Sequence, residues 1–300
     1  MVRTPVLALA ATLTVGQQTA AASAVTQSLS TTPAVSVAGD GPETVVLLTG
    51  LVGGLAGFRR LETRLLERRC RVVIINAYLL SIDSAEVSFH ALARRVDRVL
   101  DSLGVVRARV VGHGHGGGIA IRLAANAPHR VAALYLLDIG ASAVNRSPIF
   151  NKSIRLVPLI ARVPGGRAFI RHRMVRGLRE SSGRDDWIDA TTERAYTEPM
   201  LDDVDRVINM ALRLASAEEP NSLSTLIARV GMPVTVLLGG APHTAAPTPD
   251  EIQALEPLGS RLRIERLPDV GHFPHEEAPD DVVRHLLGPH AVIVRRPHSL

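Results

Sequence analysis

Hydrophobic positions along residues 35–138 alternate between two patterns. Short, mostly apolar runs, typical of strands buried on both faces, stand at 35–38, 44–49, 71–76, 107–111 and 131–137. Apolar residues spaced three or four apart, as on one face of a helix, cover 55–68, 88–103 and the stretch up to Ala127, which Pro128 ends. This alternation predicts an α/β fold, with a mostly parallel sheet flanked by helices.

The pattern changes in the middle of the chain. Residues 145–227 contain no convincing strand pattern, but helical spacing recurs at 153–162, 167–180 and 203–216. Strands are predicted again at 234–238 and 262–267, with helices at 249–258 and 280–287. We therefore predict a sheet domain formed by 35–144 and 228–288, an inserted helical lid at 145–227, and a tail at 289–300.

The first 24 residues resemble a secretory signal peptide. Arg3 precedes an apolar stretch from Val6 to Val15, and Ala22-Ser23-Ala24 matches an A-x-A cleavage site. The stretch is too short to span a bilayer, so we expect no membrane span. The prediction is an exported protein with a linker at 25–34, and the alternative is a cytoplasmic protein with a disordered leader.

The amino-acid composition limits the kinds of binding partner that we expect. The formal charge is +5, from 34 basic and 29 acidic residues, and only 3% of residues are aromatic. Because the arginines are spread along the chain and few aromatics could stack on bases, we expect no nucleic-acid partner. The lid arginines are expected to face solvent, and Cys70, the single cysteine, to be buried. We expect a small-molecule ligand or substrate, no cofactor and no bound metal, and the oligomeric state stays open.

A glycine-rich turn is the most informative local feature. The stretch VVGHGHGGGIAIRLA, residues 110–124, predicts a strand that reverses sharply into a helix. Gly112, Gly116 and Gly117 allow the strand and the helix to approach closely, and the apical residue must adopt a sparsely populated backbone conformation. That apical residue is Gly114, which carries no reactive side chain.

Four separated segments carry a family resemblance. They are VAGDGPETVVLLTGLVGG, RVVGHGHGGGIAIRLAANAPHRVAALYLLD, VGMPVTVLLGG and LPDVGHFPHEEAPDDV, in that order along the chain. Together they resemble the α/β-hydrolase superfamily, and most of all its lid-bearing branch of esterases, epoxide hydrolases and haloalkane dehalogenases. The resemblance covers about residues 35–288. It implies that Gly114 stands at the nucleophile position and leaves it vacant.

The resemblance also implies the other catalytic positions. The base is His272, in the motif Gly271-His272-Phe273-Pro274. The acid usually follows the strand at 234–238, where this chain has His243 and no carboxylate. Asp138, at the end of the preceding strand, is therefore the candidate acid that orients His272.

Further positions are implied for the pocket. The oxyanion loop corresponds to Thr49-Gly50-Leu51, and the backbone N–H groups of Leu51 and His115 are candidates for stabilising a developing negative charge. His115 and His243 are expected at the same edge of the sheet. The usual Asp-x-x-Gly-x-Gly stretch is replaced by residues 76–80, Asn-Ala-Tyr-Leu-Leu, which is a further departure from the family pattern.

These features leave two main functions open. One is a non-catalytic or weakly active hydrolase homologue that binds a small apolar ligand under its lid. The other is an ester or epoxide hydrolase, or a lyase, in which His272 acts as general base on water or substrate and Asp138 orients it. A zinc site formed by His115, His243 and His272 is a third hypothesis, although no spacing motif supports it.

Two predictions concern residues near these positions. His113 is expected to pack beneath the glycine turn. His275, Glu276 and Glu277 are expected to form the solvated start of the last helix, where acidic residues suit the helix dipole.

Overall fold

A single sheet of seven strands organises the part of the chain that the computed structural model describes, residues 33–50, 53–81, 86–139 and 152–288. The predicted signal peptide, most of the linker, the tail and Leu51 lie outside these residues. The strands are β1 Val35–Ala38, β2 Glu43–Leu48, β3 Cys70–Ile75, β4 Ala108–His113, β5 Val131–Leu137, β6 Val234–Gly239 and β7 Leu262–Leu267.

The sheet order is β1-β3-β2-β4-β5-β6-β7. Strand β1 runs antiparallel to β3, and every other pair is parallel. The predicted mostly parallel α/β fold is therefore confirmed. Because β2, β4, β5 and β6 are neighbours, the residues that follow their carboxyl ends gather at one edge of the sheet.

Eleven α-helices are present in the described residues. They are α1 Arg59–Glu67, α2 Phe89–Ser102, α3 His115–Asn126, α4 Val157–Arg162, α5 Gly166–Ser181, α6 Ala190–Asp202, α7 Val204–Ala215, α8 Leu223–Arg229, α9 Pro249–Gln253, α10 Pro274–Glu277 and α11 Pro279–Leu287. Within these described segments, none is both long and apolar enough to cross a membrane.

The core forms on both faces of the sheet. Helices α2, α3 and α8 contribute Leu92, Ile119 and Leu226 to one apolar cluster. Helices α1 and α11 contribute Leu61 and Val282 to a second cluster on the opposite face. The helical spacing read from the sequence is thus the spacing that buries one side of each helix.

Five helices, α4 to α8, stand between β5 and β6, and we call residues 152–229 the inserted helical segment. The predicted helices at 153–162, 167–180 and 203–216 are present, the first of them beginning as a 3-10 turn at Lys152–Leu156. Part of the segment has a core of its own, formed by Ile154, Ile170, Leu201, Val204 and Ile208. Its function as a lid stays a prediction.

Candidate active site

The glycine turn places Gly114 between β4 and α3. Gly114 has φ 53° and ψ −126°, a conformation that L side chains rarely adopt. A Cβ on Gly112 would lie 2.5 Å from the Cα of Gly117, and one on Gly116 would lie 2.1 Å from the carbonyl oxygen of Leu48. A Cβ on Gly114, by contrast, would meet no heavy atom of the described residues within 4 Å. The apex of the turn is therefore open, and its backbone conformation is one that glycine adopts without strain.

Asp138 lies one residue beyond β5 at the same edge of the sheet. Its side chain is fully buried, and its backbone has φ 46°, which is unusual for a residue with a side chain. Oδ1 accepts a hydrogen bond of 2.8 Å from the Gly239 N–H, and Oδ2 contacts the rings of His243 and His272. Burial disfavours the charged form of Asp138, but the bonds from His243, His272 and Gly239 outweigh it and lower the pKa of this carboxyl.

Three polar contacts fix the position of His272. Its Nδ1 lies 2.8 Å from Oδ2 of Asp138, its backbone N–H donates to the Ser181 carbonyl, and its own carbonyl lies 2.8 Å from Nε2 of His113. A carboxylate only accepts hydrogen bonds, so Nδ1 of His272 carries the proton, and Nε2 is left to accept a proton from a reacting group. The side chain is 18% exposed, so this imidazole is oriented by a buried acid and still reaches solvent.

His243 occupies the place where the family pattern puts the acid. Its side chain is 1% exposed, Nδ1 lies 2.8 Å from the carbonyl oxygen of Ala241, and Nε2 lies 2.8 Å from Oδ2 of Asp138. Both partners are acceptors, so this geometry favours the imidazolium form, in which both ring nitrogens donate. The hydrogen bond to Asp138, opposed by burial, raises the pKa of His243. Oδ2 of Asp138 therefore contacts the rings of both His243 and His272.

The same three residues are the group whose donor atoms could hold a metal ion. Ligand atoms of Asp138, His243 and His272 all lie within 4.8 Å of one another. The zinc hypothesis from sequence named His115 in place of Asp138, and His115 is not part of this group. In the structure described, hydrogen bonds account for the contacts among the three residues.

His115 faces an aromatic environment instead. Its ring packs at an edge-to-face angle on Phe89, with centroids 5.6 Å apart, and lies 6.3 Å from the ring of Tyr78. Burial, together with the charge on His272, lowers the pKa of His115 to about 4. The imidazole is therefore neutral at physiological pH, and its ring is a buried aromatic side chain.

The predicted oxyanion residues follow neighbouring strands. Thr49 comes directly after β2, is 2% exposed, and its Oγ1 has no hydrogen-bond partner among the described residues. A Cβ on Gly50 would lie 3.5 Å from the carbonyl oxygen of His113, so this loop packs against the end of β4. The N–H of His115 lies in the first turn of α3, where the helix dipole favours negative charge. Leu51 is outside the described residues.

Beneath the turn, His113 packs in a cluster of rings, as predicted. Its centroid lies 4.6 Å from that of His272, 4.3 Å from that of His275 and 5.5 Å from that of Phe273. Burial, and then the charge of His272, lowers the pKa of His113 to about 3. Burial also lowers the pKa of His275 well below its usual value.

The prediction of a solvated stretch at His275, Glu276 and Glu277 is wrong, because all three are buried. They form the short helix α10, and the last helix begins after it. Glu276 is 3% exposed and accepts a hydrogen bond of 3.3 Å from the Tyr196 hydroxyl. Burial raises the pKa of Glu276 to about 8.

Glu277 binds backbone from two distant segments. Oε2 accepts from the N–H groups of Gly183, Arg184 and Gly271 at 2.8–3.0 Å, and Oε1 accepts from that of Phe273 at 3.2 Å. The Arg184 guanidinium also donates to the Glu277 carbonyl. This carboxylate fixes the loop of His272 to the inserted helical segment. No sequence signal identified it, since two of its partners lie more than 90 residues away.

A family model described as the alpha/beta hydrolase family matches residues 45–285. The chain belongs to this family. Among other α/β hydrolases, it is 27% identical over 259 residues to the sn-1-specific diacylglycerol lipase ABHD11 of Mus musculus, covering 79% of this chain and 77% of the lipase.

Solved structures agree with the fold of this α/β hydrolase. An alpha/beta hydrolase fold protein from Burkholderia ambifaria is 20% identical with a TM-score of 0.66, covering 84% of this chain and 92% of the other. A thermophilic esterase from Thermogutta terrifontis is 21% identical with a TM-score of 0.62, covering 84% and 90%. At these identities the likeness supports the architecture alone.

Proposed function

We propose that this α/β hydrolase is a weakly active hydrolase that works without a covalent intermediate. Asp138 and His272 act as a general-base pair on a water molecule in the open space beside Gly114. The observation that carries the proposal is the contact of 2.8 Å between Oδ2 of Asp138 and Nδ1 of His272, which leaves Nε2 for the proton of water.

The surroundings of Gly114 support this arrangement. An apex without a side chain leaves room beside the turn, and the ring of His113, the residue before Gly114, lies 4.6 Å from the ring of His272. The imidazole of His272 thus packs against the residue that precedes the apex. The water oxygen attacks the carbonyl carbon while its proton moves to Nε2. As the bond to the leaving alcohol breaks, the same proton passes to the alcohol oxygen.

An ester is the favoured substrate class. The relative reported above at 27% identity is a diacylglycerol lipase, an enzyme that acts on esters. Without a nucleophilic hydroxyl, catalysis rests on the base, on backbone N–H groups and on substrate binding, so we expect turnover far below that of a serine esterase.

Turnover of p-nitrophenyl esters of increasing chain length by wild type, His272→Ala and Asp138→Asn tests the proposal. We expect slow turnover by wild type and a loss of about 100-fold or more in both variants, as for removal of a general base. The exposed His129→Ala is the matched control and should retain wild-type turnover. Wild-type turnover in His272→Ala would refute the role of His272.

Gly114→Ser tests the vacant position directly. A hydroxyl there has room, although the backbone at φ 53° costs about 1–2 kcal/mol for a residue with a side chain. We expect a fluorophosphonate probe to label Gly114→Ser, and to label neither the wild type nor the double variant with His272→Ala. Labelling of the wild type would show that another residue is the nucleophile.

A non-catalytic protein that binds a small apolar ligand is the second candidate, and His243 is the observation that favours it. The His243 ring, in its imidazolium form, shares Oδ2 of Asp138 with His272. Its positive charge offsets the negative charge of Asp138, so the carboxylate stabilises a protonated His272 less well. His243→Gln keeps a hydrogen-bond donor and removes the charge. If His243 suppresses catalysis, esterase turnover rises in His243→Gln, and unchanged turnover in this variant contradicts such suppression.

A further inference from the structure

The first part of the inserted helical segment, residues 152–181, carries more positive charge than the whole chain does in net terms. Residues 152–181 contain eight basic residues, Lys152 and seven arginines, and a single acidic residue, Glu180, which gives a net charge of +7. The full chain has a net charge of +5, so the remaining residues together carry −2. The basic character is therefore a property of one 30-residue stretch and not of the protein surface as a whole.

The same stretch exposes an apolar surface. Eight large hydrophobic residues are exposed in the described part of the chain, and four of them, each between 51% and 60% exposed, fall within 14 residues. They are Leu156, Leu159, Val163 and Phe169. The other four are scattered between positions 37 and 264. A cluster of this kind on an otherwise polar surface marks an interaction site.

Helix geometry makes these residues one surface. Leu159 lies in α4, and Leu156 and Val163 directly flank this helix at spacings of three and four, so the three side chains fall on one side of the helix axis. The opposite face of α4 packs Val157 and Ile160 against the core of the inserted segment. The exposed stripe is thus not needed to hold the helix in place.

Helix α5 continues this surface with cations. Phe169 shares its face of α5 with Arg173 and Arg176, four and seven residues later. On the side of α5 toward α6, Arg167, Arg171, Arg176 and Arg179 line an open groove of about 700 Å³, together with Glu193, which pairs with Arg179 at 2.9 Å. All of these arginines are exposed. The stretch thus carries both exposed apolar side chains and exposed guanidinium groups.

We propose that α4 and α5 dock onto the surface of an anionic phospholipid bilayer. Leu156, Leu159, Val163 and Phe169 enter the boundary between headgroups and acyl chains, while the exposed Arg171 and Arg173 contact lipid phosphates. A soluble anion or a nucleic acid would match the charge but would leave the aliphatic stripe in water. The lipid surface satisfies both features, and the proposal does not depend on catalysis at His272.

Co-sedimentation of the full chain with phosphatidylcholine vesicles, with and without 30% phosphatidylglycerol, tests the docking. We expect binding to the anionic vesicles, little binding to phosphatidylcholine alone, and weakening as NaCl rises from 50 to 500 mM. Arg171→Gln/Arg173→Gln should weaken binding about 25-fold, at about five-fold for each charge near the surface. Leu159→Ser/Phe169→Ser should weaken it at least 10-fold, because two apolar side chains no longer insert.

A matched control comes from the opposite edge of the sheet. Val106, which is 74% exposed, and the exposed Arg107 precede β4 at the amino-terminal edge. Val106→Ser/Arg107→Gln should bind vesicles like the wild type, and all variants should keep the wild-type circular dichroism spectrum and Tm. Equal loss of binding in the control, equal binding to both vesicle types, or wild-type binding by the two patch variants would overturn the proposal. Binding to a single-stranded oligonucleotide in place of vesicles would also overturn it.

Discussion

Glu276 is a buried acid whose neutralisation should stabilise the fold. Burial raises its pKa to about 8, and its hydrogen-bond partner is the Tyr196 hydroxyl. Glu276→Gln keeps the size of the side chain and its carbonyl-type oxygen but has no charge to bury. The comparison of wild type with Glu276→Gln therefore isolates the free energy associated with ionising this one group.

The magnitude follows from the two pKa values. In the unfolded chain the pKa of Glu276 is the usual 4.5, whereas in the folded protein the side chain stays protonated up to about pH 8. The folded state thus binds more protons between these values, and the stability that Glu276 contributes is present below pH 4.5 and lost as pH rises toward 8. At about 1.4 kcal/mol per pH unit, Glu276→Gln should be more stable than wild type by roughly 3 kcal/mol at pH 7.

Urea unfolding of the two proteins at a series of pH values from 4.5 to 8.5 measures this difference. We expect it to be near zero at pH 4.5, to grow with pH, and to level off above pH 8. The exposed Glu67, paired with Arg64 at 3.1 Å, offers a control, because Glu67→Gln should change stability by less than about 1 kcal/mol. A difference that does not vary with pH, or a Glu276→Gln protein less stable than wild type at pH 7, would refute the argument.

Four further variants test other features of the fold. The pKa of His113 is about 3 in the folded protein and the usual 6.5 in the unfolded chain, so the free energy of unfolding falls as pH drops below 6.5. Because phenylalanine does not titrate, His113→Phe should remove about 2 kcal/mol of the loss between pH 7 and 5, as measured by urea unfolding. Glu277→Ala leaves four backbone N–H groups without their acceptor and should cost about 3 kcal/mol or more, with faster amide exchange at Gly183 than in wild type. Gly116→Ala should fail to fold or lose more than about 3 kcal/mol, whereas Gly177→Ala, in open space within α5, should gain about 0.5–1 kcal/mol by thermal melts.

The architecture could be predicted because its signals are local. Each strand from β2 to β6 is a short, mostly apolar run, and helices such as α2 carry both a helical hydrophobic pattern and a capping residue, Ser88, which accepts from the Ala91 N–H at 3.0 Å. Helix α6 was not among the predicted helices. It contains Pro199, and proline normally marks the end of a helix.

The site could be predicted only in part. Chain order and the family pattern indicated His272 and Asp138, and the parallel sheet brings the ends of β5 and β6 together. The role of His243 was not predictable, because its charge depends on two acceptors, Ala241 and Asp138, that meet only in the folded chain. Acidic residues before a helix are usually solvated, and only the tertiary fold shows that Glu276 and Glu277 are not.

The carboxylate of Glu277 has a mechanical consequence for the whole molecule. It binds the chain at Gly183 and the loop that carries His272 through one pair of oxygens. Displacing the chain that follows α5 therefore requires either that these hydrogen bonds break or that the loop carrying His272 moves with it.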